Sequence, residues 1–369
     1  MNDECPRCSE NRARGALFCG ACGRRLERTE QDAEMNSYGE PVPGGYNARP
    51  EPPQFGFVEQ VLIAVCVIVL FVAVFEAITL AVHFSEVSVF LSDIRLYLVV
   101  LTPFPYRVLS LVGFALQVYW VIVAATIVLC VVITIQKFVA AFRIESGTPE
   151  PGAAENTAAF WICVSVTSML LVTVLITLLT RASGSEVGVP DFGEDIDQMF
   201  GLANAAFWEE IVTRLLYIGV PAALISLIIA KAKPKDSLKC LLGGFGMSKA
   251  AVVLIILSSM IFGLAHYPGW GDQLWKVVDA GLMGLLLGYL FVRFGLYASI
   301  LLHFVNNYLS AFDWMGVGGL LVFVFLLFLV VGAITLVYLI IRLWRSRGSI
   351  MTLPAFKNGF ATDEGRGQL

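Results

Sequence analysis

Residues 200–230 read FGLANAAFWEEIVTRLLYIGVPAALISLIIA, an apolar run with three charges in its middle, Glu209, Glu210 and Arg214. A helix of about 20 apolar residues crosses the hydrocarbon core of a bilayer, so this run is long enough to span. An ionisable side chain at the centre of such a span costs roughly 2.5–3.5 kcal/mol on insertion scales. Glu210 and Arg214 stand four apart, share a helix face and can pair. Glu209 is turned about 100° away and has no obvious partner on its own helix. A structural salt bridge explains Glu210 and Arg214 and leaves Glu209 unexplained.

The rest of the chain has the same character. It is 57% hydrophobic and 15% charged, against about 45–50% and 25% for a soluble domain. The excess lies in long runs. By apolar length, eight spans are expected at about 57–83, 108–136, 158–180, 200–230, 250–267, 276–294, 297–312 and 317–342. The fold class is therefore an all-α polytopic membrane protein. The seventh span is the shortest and joins the sixth through Gly295 and Leu296. Residues 87–106 are apolar but interrupted by Asp93, Arg95, Pro103 and Pro105, and read as an interfacial segment.

An even number of spans puts both ends of the membrane domain, residues 55–344, on one side. Twenty of the 25 Lys and Arg residues fall on that side, four fall on the other, and Arg214 lies within a span. The positive-inside rule then makes both termini cytoplasmic in a multi-pass protein of the cell membrane. Residues 1–54 are polar, with no short apolar stretch ahead of a cleavage site, so the first span would itself serve as the targeting signal. A net charge of -4 is a poor guide to partners here and gives nucleic-acid binding no support. The lipid bilayer is the expected surrounding.

Four of the eight cysteines crowd the N-terminus as Cys5-Pro-Arg-Cys8 and Cys19-Gly-Ala-Cys22. Each pair can form a knuckle, and four thiolates complete a closed tetrahedral zinc site. Gly20 and Gly23 suit the turns. Residues 1–28 thus read as a zinc ribbon with structural zinc, similar to the short ribbons at the N-termini of many prokaryotic proteins. A disulfide framework is the alternative, and cytoplasmic placement argues against it. Residues 29–54, rich in Pro, Gly and charge, read as a flexible linker, and residues 345–369 as a polar tail. Cys66, Cys130, Cys163 and Cys240 have no metal spacing and read as packing residues.

Two of the three histidines fall inside spans. His266 closes Phe262-Gly-Leu-Ala-His266, and His303 opens His303-Phe-Val-Asn-Asn307, where His303 and Asn307 share a face. Asn306 is its neighbour, and spacing favours Asn307 as the inward amide. The third, His83, ends the first span and reads as interfacial. Polar side chains can simply glue membrane helices together. A carboxylate and an imidazole can also activate water, while a second imidazole and an amide donate to an oxyanion. Alternatively, Glu and His could hold a catalytic zinc with an open position. No His-Glu-x-x-His motif is present. A transporter would fit an internal repeat, and none stands out.

Glu209-Glu210-x-x-x-Arg214, Phe262-x-x-x-His266 and His303-x-x-x-Asn307, in this order on separate spans, resemble the CPBP family of intramembrane proteases. That family includes type II CAAX prenyl endopeptidases and bacteriocin-processing proteins. The stretch from Gly281 through Gly288-Tyr289-Leu290 to His303 is similar as well, so the resemblance covers a core of about 160–312. It implies that Glu209 and His266 activate water, that His303 and Asn307 stabilise the oxyanion, and that Glu210 and Arg214 hold their helix. It implies an endopeptidase acting on a peptide or protein at the membrane, with a metal-free mechanism favoured over a catalytic metal. One departure is the loop with Lys231–Lys239 and Gly243-Gly244-Phe245-Gly246, expected to shape a different substrate entrance, so a prenylated substrate is not carried over. The other functional class is a catalytically silent membrane scaffold whose zinc ribbon recruits a protein partner.

Overall fold

The computed structural model describes residues 57–100, 106–142, 153–188 and 193–356. The cysteine module with Cys5, Cys8, Cys19 and Cys22, the linker 29–54 and the end of the tail lie outside the described residues. Among the described residues, seven helical stretches are long and apolar enough to cross a membrane. They are α1 (Phe57–Val82), α3 (Gly113–Phe142), α4 (Ala158–Ala182), the run from α5 (Asp195–Glu210) to α6 (Val220–Ile228), α8 (Lys249–Gly269), α9 (Leu274–Phe294) and α12 (Gly318–Thr352).

The expected seventh span takes another form. It is a 12-residue helix, α10 (Leu296–Asn307), then a tight turn, Tyr308–Ser310, and the four-residue α11 (Ala311–Trp314). Every residue from Ala298 to Val305 is buried. A helix apolar all round suits a protein interior as well as lipid, so composition alone could not separate the two. The segment read as interfacial forms none of these long helices. It is a short helix, α2 (Phe84–Ser92), and an antiparallel hairpin of β1 (Arg95–Val100) and β2 (Tyr106–Val112) with an irregularity at Leu98 and Val99. The Arg107 guanidinium lies 3.9 Å from the centre of the Tyr97 ring across the two strands.

Small residues bring α8 and α9 together. A Cβ on Gly263 would sit 2.6 Å from the carbonyl oxygen of Val277, and one on Gly284 would sit 3.0 Å from the Cα of Ser259. Such stripes let membrane helices approach closely, where packing rather than the hydrophobic effect holds them. The seam sets the end of α8, with His266, against the start of α9. On the other flank Thr335 of α12 meets the hydroxyls of Thr167 and Ser168 of α4, each at 2.9 Å.

The loop between α6 and α8 folds as a short helix, α7 (Pro234–Lys239), and a glycine turn. Gly244 N donates to Phe291 O at 2.8 Å and Gly246 N to Val292 O at 3.0 Å. Gly243 has φ 77° and a Cβ there would meet the Phe291 carbonyl oxygen at 2.2 Å, so only glycine fits. The loop staples the C-terminal end of α9, about 22 Å along that helix from Lys276 at 1.5 Å per residue. Cys66, Cys130, Cys163 and Cys240 are buried free thiols, as their spacing suggested.

Candidate active site

The Glu-Glu pair closes α5, and the next nine residues, Ile211–Gly219, form a π-helix. Pro221 just beyond it explains part of this, since it has no N–H and its ring crowds the carbonyl one turn back. Rare π turns are often found at functional sites. Glu210 and Arg214 still face each other, with Arg214 Nε 3.2 Å from Glu210 Oε2 and both side chains fully buried. That contact is an ion pair whose angle falls short of a hydrogen bond. The guanidinium also donates through Nη1 to Ser258 Oγ at 2.9 Å and lies over the Phe262 ring at 5.1 Å.

Glu209 finds its partner on another helix. His303 of α10 has Nδ1 3.0 Å from Glu210 Oε1 and Nε2 3.7 Å from Glu209 Oε2. One imidazole therefore stands between the two adjacent carboxylates. With Glu210 ionised and paired to Arg214, Nδ1 of His303 is the donor to it. His266 is set similarly. Its Nδ1 lies 2.8 Å from the carbonyl oxygen of Phe262 one turn back, which makes Nδ1 the donor and leaves Nε2 as acceptor. The Phe262 ring meets both imidazoles edge-on, at 4.7 Å for His266 and 5.9 Å for His303. His266 lies within electrostatic reach of Glu209, Lys276 and His303.

His266, His303, Asn306 and Asn307 line one cavity of about 40 Å³, with Thr173, Lys276 and Asp279 also in its wall. A single water needs about 10–15 Å³ by such a measure, so there is room for water among these groups. Both amides reach the cavity, and Asn306 Nδ2 donates to Asn307 Oδ1 at 3.4 Å. Glu209 touches His303 without lining this wall. Thr173, Lys276 and Asp279 were missed in the sequence, although Asp279 is a charge inside an expected span, the same signal that singled out Glu209. A wider, open groove of about 530 Å³ runs past Ile176, Leu179, Trp275 and Val278, with Glu186 and Asp272 on its rim. Ile176 follows Thr173 by three positions on α4, so groove and cavity are neighbours along that helix. Among the described residues no three His, Cys, Asp or Glu side chains gather as a metal site.

Carboxylates, imidazoles and amides are enclosed together in a bundle of apolar helices, a set of groups able to support hydrolysis. Residues 197–309 match the family described as type II CAAX prenyl endopeptidase Rce1-like. This segment holds every candidate site residue of the membrane domain from Glu209 to Asn307, and over it the chain is similar to that family of membrane endopeptidases. No curated protein and no solved structure matches the chain.

Proposed function

We propose that this chain hydrolyses a peptide bond at or within the membrane, using water activated by Glu209 and His266. The observation that carries this reading is the placement of His303 between Glu209 and Glu210 on a cavity wall shared with His266 and Asn307. Glu209 takes a proton from the water while Nε2 of His266 accepts its second hydrogen bond. The water oxygen bonds to the substrate carbonyl carbon, and the carbonyl oxygen becomes an oxyanion. The Asn307 amide donates to that oxyanion, with the His303 ring beside it. On collapse the C–N bond breaks, and the proton held by Glu209 passes to the leaving nitrogen. Glu210, fixed by Arg214, holds the His303 ring in place, a larger role than that of a helix brace.

The substrate is a peptide or protein that reaches the cavity from the bilayer along the apolar groove of α4 and α9. We further infer that both termini are cytoplasmic. That requires an eighth crossing, which the path from Leu296 to Trp314 would supply, and protease protection of tags at the two ends checks it. The N-terminal ribbon is a zinc-bearing cytoplasmic module and a candidate docking point for a protein partner.

Glu209→Gln and His266→Ala, purified in proteoliposomes, should lose cleavage of a membrane-presented peptide and retain the wild-type unfolding profile. Variants that keep full biological activity would sink the peptidase reading in favour of a silent scaffold.

A further inference from the structure

The wall of the small cavity holds a cation that the roles above leave unused. Lys276 sits in the first turn of α9, inside a membrane-spanning segment. Its Nζ is 2.9 Å from Asp279 Oδ2. Asp279 is 5% exposed, and its Oδ1 accepts from Thr173 Oγ1 at 2.5 Å. The ring centres of Trp270 and Trp275 lie 4.3 and 5.7 Å from the ammonium, close enough for cation–π attraction. A carboxylate and two indoles therefore fix one point charge at the cavity. A buried ion pair kept only for stability can often be replaced by apolar side chains without loss. Charges kept at membrane depth mark functional sites by default.

The donor inventory of the cavity says what this charge can do. His266 spends its Nδ1–H on Phe262 and His303 spends its Nδ1–H on Glu210, and Nε2 of His303 faces Glu209 at 3.7 Å. Hydrolysis of an amide needs donors aimed at the oxygen where negative charge develops. The amides of Asn306 and Asn307 supply one kind. Lys276 supplies the other, since Asp279 takes one of its three N–H donors and two are left. Lys276 lines the same cavity as His266, Asn306 and Asn307.

We propose that Lys276 is a further catalytic residue of this site, donating from its ammonium to the oxyanion of the tetrahedral intermediate. Asp279 and Thr173 are positioning residues that hold the ammonium at the wall. The assignment rests on the peptidase reading. No bond to Lys276 forms or breaks; its N–H groups donate while the carbonyl oxygen is anionic and release it when the C–N bond breaks.

The test uses the full chain in proteoliposomes, an apolar peptide that the wild type cleaves, and two analogues of that peptide. One carries an anionic phosphinate at the scissile position, the other a neutral ketomethylene group. Lys276→Met should lower kcat about 100-fold, the low end for loss of one oxyanion donor, with KM unchanged. Its phosphinate affinity should fall by the same factor and its ketomethylene affinity should hold. Lys276→Arg should recover part of kcat and of the phosphinate preference. Wild-type kcat in Lys276→Met, or equal weakening of both analogues, overturns the proposal. If Lys276→Met does not fold, Lys276→Gln decides by the same two affinities. Cleavage that survives Glu209→Gln but fails in Lys276→Met would remove the Glu209 role and leave that of Lys276. A wild type that cleaves no membrane-presented peptide overturns both.

Discussion

Nδ1 of His303 lies 3.0 Å from Oε1 of Glu210, joining two buried side chains 93 positions apart in the chain. Glu210 thus faces two ways, toward Arg214 on its own run of helix and toward the imidazole of α10. The second contact ties the span that carries the Glu-Glu pair to the helix that carries His303 and Asn307.

Removing one partner of the Glu210–Arg214 pair should therefore cost both stability and function. Glu210→Ala leaves the Arg214 guanidinium fully buried without its carboxylate, a loss of about 3–5 kcal/mol for a broken buried pair. The double variant Glu210→Leu with Arg214→Met removes both charges and should be more stable than either single change. It should still be inactive, because His303 no longer has a group at Nδ1 to orient it. Thermal unfolding in detergent reads the first effect and peptide cleavage the second. An active double variant would show that Glu210 serves only as a brace for its helix.

The close seam of α8 and α9 gives a second expectation. A methyl group on Gly263 would lie 2.6 Å from the backbone oxygen of Val277, and backbone cannot move aside as a flexible side chain can. Gly263→Ala should cost roughly 1–3 kcal/mol through overpacking. It should also lower cleavage, since His266 is three residues further along the same helix. Gly269, at the end of that helix, has nothing within 4 Å of its Cβ position. Gly269→Ala should stay within about 0.5 kcal/mol of wild type. Equal unfolding temperatures for the two variants would show that the seam is looser than its geometry.

Most of the spans were legible because a membrane crossing is a one-dimensional signal, a run of apolar residues of set length. The same signal did not reveal that the run at α10 breaks after 12 residues and is buried, since a helix wrapped in protein and a helix facing lipid are alike in composition. Glu209, His266, His303 and Asn307 could be picked out as charges and polar groups in apolar runs. Their contacts could not, because spacing reports neighbours on one helix only. The link from Glu209 to His303 crosses between helices, and sequence left Glu209 without a partner. Lys276 went unnoticed for another reason. It stands at the first position of the expected span 276–294, where a charge is ordinary, and its contact with Asp279 and its place on the cavity wall bring it into the site. The glycine run 243–246 was seen, but its hydrogen bonds to the far end of α9 were not.

The N-terminal cysteines and the membrane site make separable predictions about metal. Cys5, Cys8, Cys19 and Cys22 have the spacing of a closed four-thiolate zinc site, so the purified full chain should carry about one zinc per molecule. A small module of this kind folds only with its metal. The double variant Cys5→Ser, Cys8→Ser should therefore lose the zinc and leave the N-terminal residues open to proteolysis. The groups assigned to hydrolysis are a carboxylate, two imidazoles, an amide and an ammonium, so cleavage by that variant should match wild type and withstand a strong chelator. Zinc that remains after both substitutions, together with cleavage that the chelator abolishes, would move the metal into the membrane domain. Glu209, His266 and His303 would then have to be re-read as ligands.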